Sequence, residues 1–148
     1  MLLKLRERMG REEGFTLVEL LVVMLILGLL AAIAIPSFFN QRDKAKDADA
    51  KAATRTAQTA METYATDNGG SYVGATAAKL KAIEPTLNNA AVQEPTGLAA
   101  KAYTVRVNSE VTGQWFEISR ADTGVLDSEC ATKGTAGCPT DGNWAASG

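Results

Sequence analysis

The 148-residue chain contains no histidine. That excludes His-based nucleophile triads, His general bases and nearly every common zinc constellation at once. Cysteine occurs only as Cys130 and Cys138, a spacing that is no CxxC redox motif and, without histidine, no zinc site. Aromatic residues make up 6% of the chain, too few to argue for a conductive stack. An excess of positive charge is missing as well: the formal net charge of −2 argues against a nucleic-acid surface built on bulk positive charge. No phosphate-binding glycine motif is present. Ser71, in Gly69-Gly70-Ser71-Tyr72-Val73, lacks the closing glycine of a nucleophile elbow. Asp122 and Asp127 are loop carboxylates of the common solvent-facing kind. No enzyme is expected.

What the chain does have is one long apolar run. From Phe15 to Ile35 there is no lysine or arginine, and Glu19 is the one charged residue. About 21 residues as a helix span roughly 32 Å, the thickness of a hydrocarbon core. Lys4, Arg6, Arg8 and Arg11 precede it, which places the N-terminus in the cytoplasm and the C-terminal bulk outside. A cleaved secretory signal is the rival reading, with Ala31-Ala32-Ile33-Ala34 as its small-residue site. The run is long for such a peptide, and a carboxylate inside a disposable segment serves nothing. The segment is therefore read as retained.

Glu19 is costly in that setting, about 2.5–3.5 kcal/mol at a bilayer centre and less near an interface. One reading places it at the headgroups, in a first helical turn whose dipole favours an anion. The other requires a cationic partner, which the helix itself lacks. Cutting the Gly14–Phe15 bond would create one, an α-amino group on Phe15. Glu19 of one subunit could then pair with the amine of its neighbour and set register in a helical array.

The stretch Gly14-Phe15-Thr16-Leu17-Val18-Glu19-Leu20, after a short charged leader and before an apolar helix with Pro36, resembles the class III signal of type IV pilins and pseudopilins. The resemblance implies that a membrane-embedded prepilin peptidase cuts after Gly14 and methylates Phe15. It further implies that Glu19 neutralises a neighbour's N-terminus during assembly. Its fold is α+β: a long N-terminal helix, apolar in its first half and amphipathic in its second, packed on a small antiparallel sheet.

On that frame the chain divides into a leader (1–14), a membrane and filament-core helix (15–36), an amphipathic helix (37–68), a variable connector (69–100) and an antiparallel sheet with a closed C-terminal loop (101–148). Gly28 and Pro36 weaken the first helix and should kink it or loosen it within a filament. An ordinary membrane-helix kink is the plainer alternative. The charged run Asn40 to Asp49 reads as a solvated face. Ala53, Ala57, Ala60, Met61 and Tyr64 form a weak apolar stripe for packing on the sheet, and Asp67-Asn68-Gly69-Gly70 stops the helix.

A short helix is expected at Ala77 to Ile83. Strands are expected at Ala102 to Val107, at Gln114 to Ser119 and from Val125, with Tyr103, Val105, Val107, Phe116 and Ile118 facing the helix. In an exported domain Cys130 and Cys138 should form a disulfide, and many type IV pilins close a C-terminal loop in this way. Major pseudopilins of type II secretion often bind calcium in C-terminal loops. Asp122, Asp127, Glu129 and Asp141 are the conceivable ligands here, but no loop has the alternating-oxygen spacing calcium needs, so no cofactor is expected and calcium stays the minor alternative.

The expected partners are copies of the same chain, the prepilin peptidase, the pilus assembly platform with its ATPase machinery, and the inner membrane before assembly. Charge gives no indication of DNA as a partner. The functional expectation is a structural subunit of an extracellular type IV pilus serving adhesion, twitching motility or DNA uptake. A type II secretion or competence pseudopilin is the second reading, and a membrane-anchored domain that never polymerises is the third.

Overall fold

The computed structural model describes residues 14–145. The expected leader, Gly14 apart, lies outside the described residues. Contacts divide the described residues into two compact units, one ending at Phe38 and the other beginning at Phe39. Helix α1 runs Leu17–Asp67 and includes both Gly28 and Pro36. Its apolar first part leaves Leu17, Met24, Leu25, Leu29 and Ile33 about 70% exposed, an apolar surface larger than soluble monomers usually leave open.

In the second unit α1 lies on a four-stranded antiparallel sheet of order β1-β2-β3-β4, with β1 Ala91–Val92, β2 Tyr103–Asn108, β3 Trp115–Arg120 and β4 Leu126–Cys130. The α+β fold expected from the resemblance is thus observed. The β2–β3 register pairs Val105 with Ile118 and Val107 with Phe116, so the expected inward residues share one face. Tyr103, Val105, Val107, Phe116 and Ile118 are all buried. Gly113 and Gly124, both at positive φ, make the turns on either side of β3, a conformation in which a side chain would be strained.

The connector contains helix α2, Ala77–Ile83, as expected, capped by the Thr76 side chain, and a 3-10 turn at Pro85–Asn89. Strand β1 was not expected. Two residues are too short to carry an alternation, and the strand exists because Ala91 and Val92 pair with Asn108 and Val107.

The buried stripe of α1 is Asp47, Ala50, Thr54, Ala57, Ala60, Met61, Tyr64 and Ala65. Spacings of three and four place these residues on one side of the helix, where small residues are interspersed with the larger Met61 and Tyr64. The expected stripe is correct from Ala57 to Tyr64, while Ala53 is only partly buried. Thr54 donates from Oγ to Ala50 O at 2.8 Å, so its hydroxyl is satisfied inside the core.

The expectation that Asn40 to Asp49 is wholly solvated is corrected at one position: Asp47 is fully buried. A charged residue hides easily in a charged run, because composition reports the run and not the helical phase.

Candidate functional site

The N-terminal features gather at the start of α1. Gly14, Phe15 and Thr16 precede the helix, and Phe15 is 77% exposed. Thr16 occupies the capping position: its Oγ accepts from Glu19 N at 3.2 Å and its carbonyl accepts from Leu20 N at 3.2 Å. The Gly14–Phe15 bond therefore lies in non-helical chain, just outside a helix whose first turn carries Glu19. Sequence reading singled out Glu19 and Phe15 but missed the cap, which a threonine three residues before a glutamate signals. Fully burying a Leu, Ile or Val side chain contributes about 1.5–3 kcal/mol. The exposed row beyond Glu19 thus holds a large driving force for insertion or for packing against copies of itself.

The second unit is secured at its C-terminal end. Cys130 and Cys138 form a disulfide across eight residues of sequence separation. Asp47 accepts from Ser109 Oγ at 2.6 Å and from Gly137 N at 2.8 Å, joining α1 to the β2–β3 turn and to the disulfide loop. Lys51, one turn along, is partly buried; burial lowers its pKa, and the Asp47 carboxylate opposes that shift. Trp144 packs edge-to-face on Phe116 and donates from Nε1 to Glu129 O at 2.9 Å and Glu117 O at 3.2 Å.

Replacing both cysteines by serine removes a cross-link over a short loop and should cost about 2.5 kcal/mol of stability. Urea unfolding of oxidised wild type against the double variant measures that difference.

A third cluster surrounds Glu62 on α1. Its carboxylate accepts from Tyr72 OH at 2.7 Å and Tyr103 OH at 2.9 Å, with Arg120 Nη1 at 3.6 Å. Burial first, then the hydrogen bond to Glu62, pushes the Tyr72 phenol up to about 12, and Tyr103 shifts upward for the same reasons. The folded chain therefore keeps protons that an unfolded chain releases near pH 10. The stability this confers is complete below about pH 10 and is lost as pH rises through the folded values, at up to roughly 1.4 kcal/mol per pH unit for each phenol. Unfolding midpoints taken from pH 9 to 12 should fall, and Tyr72→Phe should make the fall shallower.

The acidic residues considered for calcium are not brought together. Asp127 Oδ1 accepts from Ser128 N, and Asp141 Oδ1 accepts from Asn143 N. Glu129 lies opposite Glu117 in the β3–β4 register. Among the described residues no group of three acidic or thiol side chains forms a metal site.

An exposed helix long and apolar enough to cross a membrane, with one early carboxylate, in a chain whose later helical residues pack on a small antiparallel sheet, defines a class: an α+β domain with an N-terminal membrane-length helix. Comparison with known proteins makes this specific. Residues 9–35 match the prokaryotic N-terminal methylation motif. The chain is 30% identical over 139 residues to the type II secretion system core protein G of Pectobacterium carotovorum, covering 90% of this chain and 85% of that protein. It is 34% identical over 80 residues to the type IV narrow pilus major component PilA5 of Thermus thermophilus, covering 45% of this chain and 69% of that one. With the type IV major pilin protein PilA of Myxococcus xanthus it shares 43% identity over 54 residues, 36% of this chain but only 24% of that protein. No solved structure matches significantly.

The chain belongs to the family of type IV pilins and type II secretion pseudopilins. It is a structural protein and not an enzyme, and membership implies an inner-membrane precursor that polymerises after processing by prepilin peptidase.

Proposed function

We propose that the chain is the subunit of an extracellular type IV pilus, cut after Gly14, methylated on Phe15 and polymerised through its apolar helix. The observation that carries this reading is the exposed apolar surface of α1, with Glu19 in its first turn and the Gly14–Phe15 bond just before it. Removal of the leader puts an α-amine on Phe15, and Glu19 of an adjoining copy supplies the carboxylate that neutralises it. Within the filament Gly28 and Pro36 loosen α1, because proline removes a backbone donor and glycine favours the unwound chain.

The disulfide-closed C-terminal loop supports the pilus over the pseudopilus. The partners proposed are copies of the chain, the prepilin peptidase, and the assembly platform with its ATPase. Adhesion, twitching motility and DNA uptake are the roles such a filament serves.

A second reading, the major pseudopilin of a type II secretion or competence system, is favoured by the near full-length match to core protein G. Mechanical shearing of cells distinguishes the two. The pilus reading predicts the chain in the sheared surface fraction in bulk. Recovery only from membranes, with secretion lost on deletion, would replace it with the pseudopilus.

A further inference from the structure

Asp47 is the one fully buried carboxylate among the described residues. A buried charge is tolerated only where hydrogen bonds replace its water, and here each carboxylate oxygen has one protein donor. Ser109 Oγ, at 2.6 Å, comes from the turn between β2 and β3. That hydroxyl oxygen also accepts from Val111 N, which fixes its direction. The second donor, Gly137 N at 2.8 Å, is the residue immediately before Cys138.

The approach is close. A Cβ on residue 137 would stand 2.6 Å from the Cβ of Asp47, so only glycine brings its N–H to that carboxylate. Other donors of the loop point elsewhere. Cys138 N bonds Thr135 O, Ala131 N bonds Trp115 O and Thr132 N bonds Gln114 Oε1. One end of the loop is thus held by β3 and the residue before it. The other end is held by the disulfide and by Asp47.

We propose that the Cys130–Cys138 loop is an oxidation-dependent latch on α1, closed through the hydrogen bond from Gly137 N–H to Asp47. Disulfide formation joins the two sulfurs and releases two protons and two electrons. The electrons pass to the disulfide of a thiol–disulfide exchange partner, which leaves as a dithiol. With the bond made, Gly137 is held against α1 and the buried carboxylate has both its donors. Without it, the loop carries residue 137 away from a charge that must then find water, and the α1 turns around Asp47 open with it. Oxidation therefore reports directly to the helix, ninety residues earlier in the chain. The latch does not depend on whether the filament is a pilus or a pseudopilus.

Hydrogen exchange followed by mass spectrometry, on the full chain in detergent micelles, tests this. Reduction by a phosphine should accelerate exchange in residues 44–54 together with 131–138, by about tenfold or more. Gly137→Ala with its disulfide intact should show the same acceleration at 44–54 without reduction. Thr135→Ala, a loop change that does not touch Asp47, should leave 44–54 at the wild-type rate. Faster exchange confined to 131–138 after reduction would overturn the latch. Should reduction unfold the whole domain, the oxidised Gly137→Ala chain decides alone: wild-type rates at 44–54 in that variant would equally overturn it.

Discussion

A Glu19→Ala chain should still be cut after Gly14 and remain in the membrane, with little or no filament formed. The expected size follows from where the partner charge lies. In the proposed filament the Phe15 amine is withdrawn from water among apolar helices, and removing its carboxylate leaves a buried charge uncompensated. Breaking a buried pair in this way costs about 3–5 kcal/mol, which at the lower limit exceeds a hundredfold in an association constant. Polymerisation multiplies that loss at every subunit contact. Glu19→Asp, which keeps the charge but shortens the reach, should fall between. A domain merely tethered to the membrane predicts the opposite, because its surface level would not change. Filament mass in the sheared fraction, set against processed chain in the membrane, separates the two.

The largest effect on the folded domain is expected from Trp144→Ala. Trp144 is only 2% exposed, stacks edge-to-face on Phe116 and bonds two strand carbonyls through one indole N–H. Arg55 lies 5.4 Å from the ring centre on its α1 side. Truncation leaves a cavity beneath α1 and strips both carbonyls of that donor. The expected loss is about 4 kcal/mol, lowering Tm by roughly 15 °C in a domain of this size. Trp144→Phe keeps most of the ring contact and should cost about 1–2 kcal/mol, chiefly the lost N–H donor. Thermal unfolding followed by circular dichroism measures both. Equal losses for the two variants would show that the N–H, and not the packing, holds the C-terminal segment.

How far the sequence reveals this molecule depends on which physical signal each part carries. The strands are legible because Tyr103, Val105 and Val107 alternate with polar neighbours, and because glycine-containing turns bound β3. The C-terminus of α1 is legible from Asn68-Gly69-Gly70. The face of α1 is harder to read. Alanines at 45, 48, 50, 52 and 53 surround the helix, so no hydrophobic phase stands out, and only the sheet decides that Ala50 and Thr54 are buried while Ala52 is exposed. Asp47 and Glu62 escape sequence reading for a shared reason. Each is one charged residue on a helix of many, and its partners lie outside that helix: Ser109 and Gly137 for Asp47, Tyr72 and Tyr103 for Glu62. Glu19 is the converse case: its isolation in an apolar run makes one carboxylate conspicuous, and it falls inside residues 9–35, which match the N-terminal methylation motif.

The central claim is that the Gly14–Phe15 bond is cut to create the amine that Glu19 neutralises in a polymer. Mass spectrometry of the N-terminal peptide, from material sheared off the cell surface, tests it most directly. The predicted result is an abundant peptide beginning at N-methylated Phe15. An intact leader on the surface-exposed chain would contradict the account, because no amine would then exist for Glu19 to meet.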